Sequence, residues 1–131
     1  MSYLIDANIA IHAGAKNPSV LLKFKEHAGS IVISALTLVE LQRGLYRRVE
    51  DRATRQEQLR ILLQQFPVLP FDEAAAEAYG RIIALLGWVR GRDFDRLIGA
   101  HAMSTTSILV TNNESDFRDI PGLKIENWTK D

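Results

Sequence analysis

Short apolar runs alternate with helix-patterned segments along the whole chain, and this alternation limits the fold more than any other feature. "YLI" (3–5) ends on Asp6. "SIVIS" (30–34), "PVLPF" (67–71), "SILVT" (107–111) and "LKIENW" (123–128) follow. Each is the length of a strand, and the first four are almost wholly apolar, as strands covered on both faces are. Between them lie helical stretches at about 8–14, 18–27, 37–49, 52–65, 72–87 and 91–104. Thr37 is expected to cap its helix, with Glu40 at the capping-box spacing. "DEAAAEAYGRIIALLG" (72–87) opens on acids and closes on glycine, the polarity of a helix. Parallel strands need a crossover of about a dozen residues, usually a helix. The pattern therefore predicts an α/β fold with a mostly parallel sheet covered on both sides.

The chain has 131 residues, enough for a single domain (1–131) with a real core. Its zero cysteines exclude a disulfide scaffold, thiolate metal ligands and a cysteine nucleophile. No apolar run is long enough to span a membrane. The N-terminus lacks the pattern of a signal peptide, so a cytoplasmic protein is expected. Net charge is zero, which does not by itself advertise a nucleic-acid partner. The arginines are nevertheless grouped. Arg43, Arg47, Arg48, Arg52, Arg55 and Arg60 form one cluster, and Arg90, Arg92 and Arg96 another. They read either as solvated helix faces or as phosphate contacts.

In open α/β sheets, ligands bind beyond the carboxyl ends of the strands. Acids collect there. Asp6 ends the first run, and Glu40 lies one to two turns into the helix after the second. Asn112, Asn113, Glu114 and Asp116 follow the fourth, and Asp95 stands early in the helix before it. A buried carboxylate without a partner is costly, and clustered carboxylates raise one another's pKa. Asp6 alone reads as a helix cap. With the other acids near it, Asp6 reads instead as a ligand for Mg²⁺ or Mn²⁺, the hard ions that oxygen donors select. Such an ion suits hydrolysis of a phosphodiester. Asp93 and Asp95 project about 200° apart on a helix, so Asp93 is expected to be a cap and Asp95 the site residue. Thr111 is a candidate hydroxyl at the strand end. His101 is expected to be packed or at the surface, and Trp88 and Trp128 are expected to be packing residues.

"YLIDANIAI", "ISALTLVELQRG", "DFDRLIGAHA" and "LVTNNESDFRDIPGLKIENW" together resemble, in order and over nearly the whole chain, the PIN-domain toxins of the VapC family. The resemblance implies a three-layer α/β/α sandwich around a five-stranded parallel sheet. It implies a Mg²⁺- or Mn²⁺-dependent endoribonuclease that cuts structured RNA such as tRNA. It also implies a VapB-type antitoxin as inhibitor, a homodimer within a larger toxin–antitoxin assembly, and contact with DNA only through the antitoxin. Matched position by position, Asp6, Glu40, Asp95 and Asp116 fall on the family's acids. Asn8, Thr111 and Asn113 are supporting candidates, and Arg43, Arg47, Arg92 and Arg96 are candidates for holding RNA. Two departures stand out. Ala7 replaces the usual threonine, and Asn113 stands where many relatives carry an acid. The rival readings are a phospho-accepting receiver domain and a binding module without catalysis. A receiver would need a second acid in the first loop and a lysine after the last strand, where Lys124 instead lies inside that strand.

Overall fold

The computed structural model describes residues 1–130. β1 (Ser2–Ile5) is the central strand. Its side chains alternate, so Leu4 enters one apolar cluster and Ile5 the opposite one. α1 (Ala7–Gly14) and α2 (Pro18–Glu26) lead to β2 (Ile31–Ser34). α3 (Ala35–Arg47) and α4 (Arg52–Gln65) lead to β3 (Val68–Leu69). α5 (Glu73–Leu86) and α6 (Asp93–Ser104) cross back to β4 (Ser107–Val110), and β5 (Ile125–Glu126) closes the sheet. The expected elements are all present, most with ends trimmed by a residue or two. The outer strands shrink to two residues each. Proline on both sides of β3 limits its ladder, which also protects an edge.

All four strand pairings are parallel, in the order β3-β2-β1-β4-β5. This is the expected five-stranded sandwich. Ile9 of α1, Val20 of α2 and Leu62 of α4 pack with Ile5, Ile33, Val110 and Trp128 on one face. Ala78 and Ile82 of α5 and Ile98 of α6 pack with Leu4 and Leu109 on the other. Each fully buried Leu or Ile contributes about 1.5–3 kcal/mol, so both faces hold the sheet. Among the described residues, no helix is long and apolar enough to cross a membrane.

The strand order excludes the receiver reading. Receiver-like folds run 2-1-3-4-5, with β3 beside β1. Here β4 is beside β1 and β3 is at the edge. The order therefore reverses between β1 and β4, and the crevice at their carboxyl ends is the switch point where a ligand would sit.

Several local expectations are corrected. Ser34, not Thr37, caps α3, its oxygen accepting from the Leu36 amide at 3.0 Å. Thr37 is buried, with its hydroxyl 3.5 Å from the Ile5 carbonyl. Asp93 does not cap α6: the cap position is Arg92, and the Asp93 carboxylate accepts from the Tyr79 hydroxyl. Trp128 is packed in the core, but Trp88 is 62% exposed. A lone tryptophan in sequence carries no sign of which case applies, because burial is decided by partners distant in the chain.

Candidate active site

Asp6 follows β1 directly. Its amide continues the ladder to the Val110 carbonyl at 3.1 Å, which fixes the residue at the switch point. Its carboxylate accepts from the Ile9 amide at 3.0 Å, so Asp6 caps α1 as well as facing the crevice. Only 8% of the residue is exposed. Burial pushes its carboxyl above the usual range, against hydrogen bonds from the Thr111 hydroxyl and the Ile9 and Asn8 amides. Thr111 is itself fully buried, and its oxygen accepts the Asn113 amide at 3.0 Å. The hydroxyl thus ties the β4 loop to Asp6.

Glu40 reaches the same place from the second turn of α3. Burial raises its pKa first, then the charges of Asp6 and Asp95, while Arg43 opposes them. Asp95 arrives from the first turn of α6. Burial again leads, followed by Asp116 and Asp6, against Arg92 and Arg96. Three elements that share no local sequence therefore deliver three carboxylates to one pocket. Asp6, Ala7, Asn8, Glu40, Asp95, Ile98, Asn113 and Phe117 line this cavity of about 70 Å³.

The other candidates divide. Asn113 is in the pocket lining, whereas Asp116 is outside it, near enough for its charge to act on Asp95 and 4.0 Å from Arg92. Glu114 turns away to Asn127 and Lys130, at 3.2 and 3.0 Å. Arg92 is half-buried between Asp116 and Asp119. Arg96 is 3% exposed and forms a two-pronged pair with Asp119 at 2.9 and 3.0 Å. Arg96 is therefore removed from the RNA-holding candidates: its guanidinium is committed inside the fold. Asp119 was not anticipated, since its pairing with residue 96 has no short-range signature.

Of the first arginine cluster, Arg52 and Arg55 are structural. Arg52 donates to the Leu45 and Tyr46 carbonyls, and Arg55 to those of Gly44, Arg48 and Glu50. They satisfy the end of α3, whose last carbonyls have no helical partner. Arg60 pairs with Glu57 on the surface. Arg43 and Arg47 instead line a groove of about 710 Å³ between α1, α2, α3 and α4. Its walls include Ile11, Leu21, Phe24, Leu41, Leu45, Leu59 and Leu62. Ala7, Asn8 and Glu40 border both the groove and the acid pocket.

Among the described residues, no three carboxylate or imidazole side chains form a closed ion cage as they stand. The donor set still suits a hard dication. It is all oxygen, its charges repel one another, and Mg²⁺ uses one or two carboxylates while keeping several waters. Asp6, Glu40 and Asp95 are the residues that would hold it, with the Asn113 amide oxygen as a neutral fourth donor.

The PIN domain family matches residues 3–123. The chain is 33% identical to Ribonuclease VapC2 of Rickettsia felis, over 99% of this chain and 100% of that protein. It is 34% identical to the tRNA(fMet)-specific endonuclease VapC of Shigella flexneri, over 98% and 99%. Among solved structures, VapBC2 from Rickettsia felis bound to a promoter DNA fragment superposes with a TM-score of 0.85. That match has 32% identity and covers 98% of this chain and 99% of that one.

Proposed function

Because the chain belongs to the PIN-domain family, within its VapC group, we propose that it is the toxin of a VapBC-type pair, an endoribonuclease that requires Mg²⁺ or Mn²⁺. One observation carries this reading: Asp6, Glu40 and Asp95 converge from three elements on a single pocket at the switch point. When bound, the dication would neutralise the phosphate and favour ionisation of a water.

The protein's own residues do the rest. Asp6, pinned by the α1 amides and Thr111, is the fixed ligand. Glu40 is less buried and orients the attacking water. Asp95 closes the pocket from α6. The water oxygen bonds to phosphorus as the bond to the 3′ oxygen breaks, leaving a 5′-phosphate and a 3′-hydroxyl. Arg43, Arg47 and Arg92 hold flanking phosphates. A looped RNA such as a tRNA stem-loop suits the site, because loops splay their bases and backbone open. The tRNA-cleaving relative from Shigella flexneri supports that class.

A VapB-type antitoxin would lay an amphipathic segment in the apolar groove, its acidic residues facing Arg43 and Arg47. An arginine at its end would enter the adjoining acid pocket. DNA would be contacted through the antitoxin, and the toxin would pair as a homodimer. The experiment is an RNA cleavage assay with Mg²⁺ and with chelator. Cleavage restored by Mg²⁺ or Mn²⁺ is expected. Equal cleavage in chelator would sink the metal-dependent reading.

A further inference from the structure

The turn between α5 and α6 carries side chains that the acid pocket does not use. Gly87 and Gly91 bracket it, with φ of 75° and 85°. Both values lie in the left-handed region that glycine enters freely. Between them stand Trp88, Val89 and Arg90. Trp88 is 62% exposed, Val89 41% and the neighbouring Leu85 70%. The Arg92 amide donates to the Val89 carbonyl at 3.1 Å, so Trp88 immediately precedes a closed turn. Arg92 ends that turn, occupies the cap position of α6 and reaches Asp116. Trp88 therefore stands four residues before the arginine whose partner, Asp116, acts by its charge on Asp95.

The electrostatics of this turn are one-sided. Residues 87–92 contain two arginines and no acid. Arg90 is exposed and, among the described residues, forms no ion pair. The nearby acids are engaged: Asp93 by Tyr79, and Asp116 and Asp119 by Arg92. The exposed apolar side chains of this turn are Leu85, Trp88 and Val89, against the roughly 20–30 residues a side of a stable protein interface. An exposed indole beside free positive charge instead matches single-stranded nucleic acid, which offers a base face and a phosphate together.

We propose that Trp88 is a stacking platform for an unpaired base of the RNA substrate outside the acid pocket, with Arg90 on an adjacent phosphate. This inference rests on the ribonuclease reading and adds a substrate-positioning residue to it.

The test exploits the burial of the other tryptophan. Trp128 is 1% exposed, so a collisional or stacking change in emission reports on Trp88. A short mixed-sequence single-stranded oligoribonucleotide is titrated into full-length Asp6→Asn protein, which keeps the RNA intact. Saturable quenching of tryptophan emission is expected. By anisotropy of a labelled oligoribonucleotide, Trp88→Ala should weaken binding roughly 5- to 100-fold, and Trp88→Phe should restore most of it. In the cleaving protein, Trp88→Ala should raise KM more than it lowers kcat. Anisotropy showing normal RNA binding by Trp88→Ala, with no quenching of the parent, overturns the inference and leaves the ribonuclease reading intact. Emission that follows protein concentration without RNA, with loss of a dimer in Trp88→Ala, assigns the patch to a second copy and also overturns it. Absence of both RNA binding and cleavage in the unsubstituted chain defeats the two readings together.

Discussion

Asp6 performs two tasks that single substitutions can separate. It caps α1 through the Ile9 amide and places a charge in the pocket. Asparagine is as good a cap as aspartate, so Asp6→Asn should abolish metal-dependent RNA cleavage while the folded metal-free protein loses no stability or gains some. Asp6→Ala should lose the activity and about 1 kcal/mol of stability as well. Paired thermal melts and cleavage assays check this, and wild-type turnover by Asp6→Asn would show that the site is assigned wrongly. The same acids set a pH dependence. Asp6, Glu40 and Asp95 have raised pKa values in the folded chain, first through burial. Their protonation therefore favours folding. The stability they supply is complete below the ordinary carboxylate pKa and is lost as pH rises through the raised values. Asp119 works in the opposite sense, its pKa lowered by hydrogen bonding to Arg96 and then by charge. Its contribution disappears as pH falls through that lowered value. Metal-free protein should thus gain stability on mild acidification from neutral pH and lose it at stronger acid. In urea melts across this range, Asp6→Asn should flatten the first limb and leave the second.

At the scale of elements, α3 and α6 must be held in register for Glu40 and Asp95 to meet. The Ser34 hydroxyl does this from the end of β2. Its oxygen accepts from the Leu36 amide and it lies 2.7 Å from His101 Nδ1. His101 also hydrogen-bonds the Pro70 carbonyl, which leaves Nδ1 to accept the serine proton. The ring is 1% exposed, and burial holds its pKa below the usual histidine value. One neutral imidazole therefore joins α6, the start of α3 and the loop after β3. His101→Ala leaves buried polar groups unpaired and should cost about 1–3 kcal/mol. It should also reduce cleavage without any direct contact with RNA. Calorimetric melting measures the first effect. An unchanged Tm and unchanged cleavage would reduce His101 to filler.

For the whole molecule, the continuity of groove and pocket is the property that matters. Three residues border both, so a peptide seated in the groove can reach the acids. An antitoxin arginine there would relieve the repulsion that a dication otherwise relieves. Peptide and Mg²⁺ should therefore compete, and Asp95→Asn should weaken both. Titrating the antitoxin's C-terminal peptide at rising Mg²⁺ tests this. A peptide affinity indifferent to Mg²⁺ and to Asp95→Asn would leave inhibition to steric cover alone.

The sequence by itself determined the alternation of strands and helices and the placing of acids after strands. Both are properties of period and order, carried by neighbours in the chain: Leu4 and Ile5 are apolar on both faces whichever strands lie beside them. Only the tertiary structure decided which distant groups meet. Strand order 3-2-1-4-5 separated this fold from a receiver, and no local pattern encodes which strand lies beside β1. Arg92 and Arg96 read alike in the sequence, yet one reaches Asp116 and the other is locked to Asp119. Trp88 and Trp128 read alike, yet one is in water and one in the core. Burial and charge pairing depend on side chains brought together from far along the chain, and those contacts exist only once the sheet has assembled.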